Sequence, residues 1–123
     1  MPQISYFTVE GRPVPAARMT YRQVHANKLT PQAKRYLDYK TAIGWAAKKE
    51  RIKPLTGNVK MTIELNIHGN KDGDIDNYAK AILDGLNGIA YKDDKQVTEL
   101  RLKKIKVESK DNQRAVIVIE RAV

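Results

Sequence analysis

The sequence contains no cysteine. That absence excludes disulfide scaffolds, thiol nucleophiles and cysteine-ligated zinc together, and it fits a reducing compartment. Long apolar runs are missing too. The longest, Ala115 to Ile119, falls far short of the ~20 residues that span a bilayer. The opening MPQISYFTVEG has neither a basic head nor an apolar core, so no secretory signal is expected there. These absences predict a cytoplasmic protein with no membrane partner. Acid is scarce as well, with 14 Asp and Glu against 23 Lys and Arg, a formal net charge of +9. What is present is apolar material at 41% of the 123 residues, enough for one core and too much for a disordered basic tail. The composition therefore predicts one domain over residues 1–123 with a basic exterior, a surface suited to a polyanion such as nucleic acid.

The pattern along the chain predicts an α+β domain in the order β-α-β-α-β-β, with a small mixed sheet and two helices. Residues 3–9 (QISYFTV) read as a strand rich in β-branched and aromatic residues. A Pro- and Gly-broken basic loop follows, carrying Arg12, Arg18, Arg22 and Lys28. Thr30-Pro31 reads as an N-cap and first helical residue, opening a helix to about Lys49. Tyr36, Tyr39, Ile43 and Ala46/Ala47 form its apolar stripe, and Trp45 is expected in the core with the two tyrosines, base stacking by these aromatics being the alternative without a special spacing behind it. From Val59 to His68 apolar and polar residues alternate strictly, the signature of a strand with one buried face. Ile75, Tyr78/Ala79, Ile82/Leu83 and Leu86 recur at helical spacing before an Asn87-Gly88 stop. A strand over 96–108 is expected to be irregular between Leu102 and Ile105. Asp111-Asn112 then reads as a hairpin turn into the last strand, Ala115 to Ile119.

One feature opposes the overall charge. Six of the eight aspartates, at 72, 74, 76, 84, 93 and 94, crowd into 23 residues of a basic protein. A calcium loop of D-x-D-x-D type does not explain them, since counting from Asp72 puts Asn77 where glycine belongs and Leu83 where glutamate belongs. Helix capping accounts for one of the group. A carboxylate cluster for a hard divalent cation accounts for more, because Mg²⁺ takes oxygen ligands and keeps several waters. Asp74 lies just before the predicted helix and Asp76 in its first turn. Lys80 is four residues after Asp76, on the same helical face. It is placed either to neutralise charge developing on a phosphate or to make an ordinary ion pair with Asp76 or Asp84.

The run D-I-D-N-Y-x-K-x-x-x-D-x-L-N-G from Asp74 to Gly88, followed by D-D-x-Q-V from Asp93, resembles the RusA family of Holliday-junction resolvases of bacteria and their prophages. The resemblance covers roughly residues 59 to 108, and G-x-P-x-P-x-x-R from Gly11 fits the family's opening. It implies a small homodimeric endonuclease, dependent on Mg²⁺ with Mn²⁺ as a substitute, that nicks four-way DNA junctions symmetrically in recombination and repair. It places the metal-binding aspartates on Asp74, Asp76 and Asp94 and the essential lysine on Lys80. Asp84 and Asp93 fall on acidic positions of no fixed role.

Among the remaining residues, Arg12, Arg18, Arg22 and Lys28 are expected to contact DNA phosphates, since positive charge on a loop suits backbone contact without sequence readout. Lys103, Lys104 and Lys106 form a second such patch or simply the wet face of a strand. His68, beside the acidic loop, reads first as a polar strand-end residue and otherwise as a metal ligand or base, and His25, in the basic loop, has no partner behind it. The rival function is a non-catalytic nucleic-acid-binding module that retains the acidic site.

Overall fold

The structure, a computed structural model, describes residues 4–25, 28–70 and 73–122. Gln3, Lys71, Asp72 and the side chain of His25 lie outside the described residues. The sheet is organised by β2, Val59–His68, whose Val59, Met61, Ile63, Leu65 and Ile67 are all buried while the residues between them are half-buried. The alternation in sequence is thus the alternation in burial. On one side β2 pairs antiparallel with β4, Arg114–Arg121, and on the other it pairs parallel with β3, Val97–Val107. The first strand, β1 (Ile4–Glu10), pairs antiparallel with the free side of β4, giving the order β1-β4-β2-β3. The sheet is mixed, as expected.

Among the described residues three α-helices accompany it. The longest, α2, runs from Pro31 to Lys49 with Thr30 as N-cap, its hydroxyl accepting from the Ala33 amide at 3.1 Å. The third, α3, runs from Ile75 to Gly85. Both pack on one sheet face, where Tyr36, Tyr39, Ile43, Tyr78 and Ile82 join Phe7, Ile63, Leu65 and Ile117 in a single core. Each fully buried Ile or Leu there contributes about 1.5–3 kcal/mol. The two helices approach closely because Gly85 has no side chain: a β-carbon there would stand 3.2 Å from Ile43 Cβ.

Four expectations need correcting. The basic loop after β1 contains a helical turn, α1 (Tyr21–His25), so the described residues hold three α-helices, two of them long. Trp45 is not core but 69% exposed; it lies two residues, about 200° of helix, past buried Ile43 and so faces away from the sheet. The Asp111-Asn112 turn does not close a hairpin. It forms a short 3₁₀ turn, Lys110–Asn112, after which β4 skips β3 and inserts between β1 and β2. The lysine-rich β3 is left at an edge, where charged side chains remain in water and discourage further pairing. The apolar spacing between Leu102 and Ile105 is no backbone irregularity either, for pairing runs unbroken from Lys60–Glu99 to His68–Val107. Leu100 and Leu102 stand beside Met61 and Ile63 on the helix-covered face, whereas Ile105 and Val107 stand beside Asn66 and His68 on the other. The strand changes the face it makes apolar, and its register shift lies between Val59 and Lys60, opposite Thr98.

Candidate functional site

The start of α3 is held from three directions. The Gly73 amide donates to the hydroxyl of buried Tyr78 at 3.0 Å. Lys104 Nζ donates to the Gly73 carbonyl at 3.3 Å, and the Ala16 amide donates to the Asn77 carbonyl at 2.9 Å. Pro15 packs so closely that a β-carbon on Gly73 would lie 3.3 Å from its Cγ. This clamp fixes Asp74, the N-cap of α3, and Asp76 in the first turn. Both are exposed. Asp74 makes no side-chain cap bond, and among the described residues Asp76 accepts from the neighbouring Asn77 amide, at 3.0 Å. The sequence-based account of one of them as an ordinary cap therefore does not describe Asp74. Its carboxylate faces solvent at the positive end of the helix dipole.

The other end of α3 carries a second acidic group. Tyr36 Oη donates to Asp84 Oδ2 at 2.7 Å, and Lys80 Nζ lies 3.4 Å from the same oxygen. Lys80 pairs with Asp84, four residues on, and its side chain is 64% exposed. Beyond the helix, Asp93 caps a 3₁₀ turn, Asp94–Gln96, accepting the Lys95 amide at 2.9 Å. That bond holds the Asp93 carboxyl below its ordinary pKa. Gln96 fixes the whole loop: its Oε1 accepts from the amides of Lys92 and Asp93, and its Nε2 donates to the carbonyls of Leu55 and Gly57. Asp94 is pushed above the ordinary carboxylate range, first by partial burial, then by hydrogen bonding to Asp93 and by the charges of Asp93 and Asp84, while Asn87 opposes the rise. Asp94 thus belongs with Asp84 and Asn87.

The expected metal set is consequently split. From Asp76 to Asp84 the helix rises about 12 Å, and Asp94 stands at the Asp84 end. Among the described residues no three Asp, Glu or His side chains are grouped so as to hold a metal ion. Topology is the reason: a parallel β2-α3-β3 crossover starts its helix at one end of the strands and returns to the opposite end. In donor chemistry Asp74 and Asp76 suit a hard cation, but Asp94 does not join them within one chain.

The basic residues also divide. Arg12 Nη1 donates to the His68 carbonyl at 2.7 Å and to Gln113 Oε1 at 2.9 Å, tying the loop after β1 to the end of the sheet. Arg18, Arg22 and Lys28 are exposed. Lys106 Nζ donates to Asn70 Oδ1 at 3.0 Å. His68 Nδ1 lies 3.1 Å from the Val107 carbonyl and donates to it, so this nitrogen is occupied in joining β2 to β3. The hydrogen bonds of Tyr36 to Asp84 and of Gln96 to its loop are not part of the sequence-based reading. Only Gln96 had a signal, the D-x-x-Q spacing of a capping box.

No helix among the described residues is long and apolar enough to cross a membrane. The family model described as Endodeoxyribonuclease RusA matches residues 10–120, from the last residue of β1 into β4. Comparison with curated proteins finds no match.

Proposed function

Because the chain belongs to the RusA endodeoxyribonuclease family, we infer that it is a Holliday-junction resolvase: a cytoplasmic, Mg²⁺-dependent homodimer that nicks four-way DNA junctions symmetrically in recombination and repair. The observation that carries this reading is the exposed pair Asp74 and Asp76 at the start of α3, held by the Gly73–Tyr78 clamp, with the Asp74 carboxylate making no cap bond. A net charge of +9 gathers the DNA backbone around these acids. The pair would hold Mg²⁺, or Mn²⁺ in its place, and such a cation would supply polarisation of the scissile phosphate and a lowered pKa for the attacking water. Lys80, exposed and anchored at only one oxygen of Asp84, swings to the phosphate and steadies its negative charge. Since one chain keeps Asp94 at the far end of α3, the third carboxylate comes from the second copy.

The split of the carboxylates within one chain favours one rival, a binding module without catalysis. A single assay separates the two. A synthetic four-way junction, a flap and a linear duplex are incubated with the protein in Mg²⁺ or EDTA. Paired nicks on the junction alone, abolished by EDTA, are the expected result. Tight binding to a junction that stays intact in Mg²⁺ and Mn²⁺ would establish the binding module instead.

A further inference from the structure

The only tryptophan of the chain, Trp45, stands 69% exposed on the outer side of α2. An aromatic surface of this size left in water invites an occupant. Trp45 borders a groove of about 400 Å³ between α2 and α3, lined also by Lys40, Lys48, Asp84 and Ile89. Lys48 Nζ stands 5.8 Å from the Trp45 ring centroid, and Lys40 Nζ stands 4.9 Å over the ring of Tyr36. A second, apolar pocket beside Trp45 is lined by Ala46, Lys48 and Lys49. The groove's one acid, Asp84, is already engaged by Tyr36 and Lys80. The surface is therefore a flat ring with ammonium groups beside it and no uncompensated negative charge.

We propose that Trp45 is a stacking platform for an unpaired DNA base, with Lys40 and Lys48 taking the phosphates on either side of it. The inference rests on the DNA reading above and adds to it a contact outside the carboxylate site. Aromatic rings flanked by cations are how sequence-tolerant single-strand sites hold nucleotides. A protein partner fits less well, because interface cores are depleted in lysine. The groove also leads somewhere useful. Asp84 lines it and stands close enough to Asp94 for its charge to act there, so a base held on Trp45 marks the point where pairing is broken near an acidic group.

Trp45 reports on itself, since all tryptophan fluorescence comes from it. The full-length protein is titrated in EDTA with a four-way junction, a short oligothymidylate and a linear duplex, while anisotropy of labelled DNA measures binding separately. Junction and oligothymidylate are expected to quench Trp45 emission at least twofold, and duplex to do so much less. Trp45→Ala is expected to weaken junction binding about five- to a hundredfold, and Lys40→Gln with Lys48→Gln to weaken it severalfold. Junction binding by anisotropy with emission unchanged would overturn the platform while leaving the nuclease reading intact. Equal quenching by duplex would overturn it too, and so would a concentration-dependent blue shift without DNA, which would place Trp45 between two copies. No anisotropy change with any DNA would sink the DNA reading itself.

Discussion

At the scale of the residue, Asp74 carries a carboxylate that its own helix does not use. Asp74→Asn should therefore leave the urea unfolding midpoint almost unmoved, as for other surface substitutions within about 0.5 kcal/mol, because asparagine caps a helix as well as aspartate. Nicking of a junction should disappear and binding should persist or tighten, since a charge that repels phosphate has gone. Substantial cleavage by this variant at low Mg²⁺ would remove Asp74 from the site. Lys80→Ala separates two roles. If Lys80 steadies charge on the phosphate, single-turnover cleavage falls about a hundred- to a thousandfold with little loss of affinity; an unchanged rate would leave only the ion pair with Asp84, a surface contact of small energetic weight. Both residues are legible in the sequence, because the motif that holds them is contiguous. Which acid Lys80 takes is not legible there, because Asp76 and Asp84 are both four residues away. Tyr36, distant in sequence, fixes Asp84 as the acceptor.

Elements were legible where local signals were strong. The alternation of β2 and the Thr30-Pro31 start of α2 gave boundaries that the structure reproduces. What failed was long-range. Nothing near Asp111 tells the chain to pass β3 and pair with β2, a choice made by burial: β4 alternates apolar residues that a central strand can bury, and β3 carries lysines that it cannot. The exposure of Trp45 was legible in principle from its angular offset to Ile43, but an isolated aromatic in an apolar-rich segment reads as core. The contact of α2 with α3 permits a sharp test. Gly85→Ala should gain up to about 1 kcal/mol of helix propensity and lose about 1–3 kcal/mol to overpacking, because the new methyl meets the rigid β-branched Ile43 at 3.2 Å. The expected result is a lower denaturation midpoint with a similar m-value. An unchanged or raised midpoint would mean that α3 slides away from α2 freely, and the groove beneath Trp45 would then be soft.

At the scale of the molecule, the basic composition was legible at once, whereas the division of the acids between the two ends of α3 was not, because a motif is contiguous in sequence and says nothing of the crossover that separates its parts. That separation gives the proposed homodimer a definite expectation. If Asp74 and Asp76 of one copy work with Asp94 of the other, two inactive variants should repair each other. Asp74→Asn and Asp94→Asn chains refolded together in equal amounts form mixed dimers as about half the population. In each mixed dimer, one site has all its carboxylates and the other has lost two. Near one quarter of the wild-type sites should return, seen as single rather than paired nicks on a junction. Mn²⁺ binding followed by electron paramagnetic resonance should recover by the same fraction. Sites built within one chain behave differently, for every site in every dimer then lacks one carboxylate and mixing restores nothing. The comparison needs both parent variants to be inactive alone. Should either retain activity, the carboxylate assignment is at fault; should both be inactive and the mixture stay silent, the sharing between copies is.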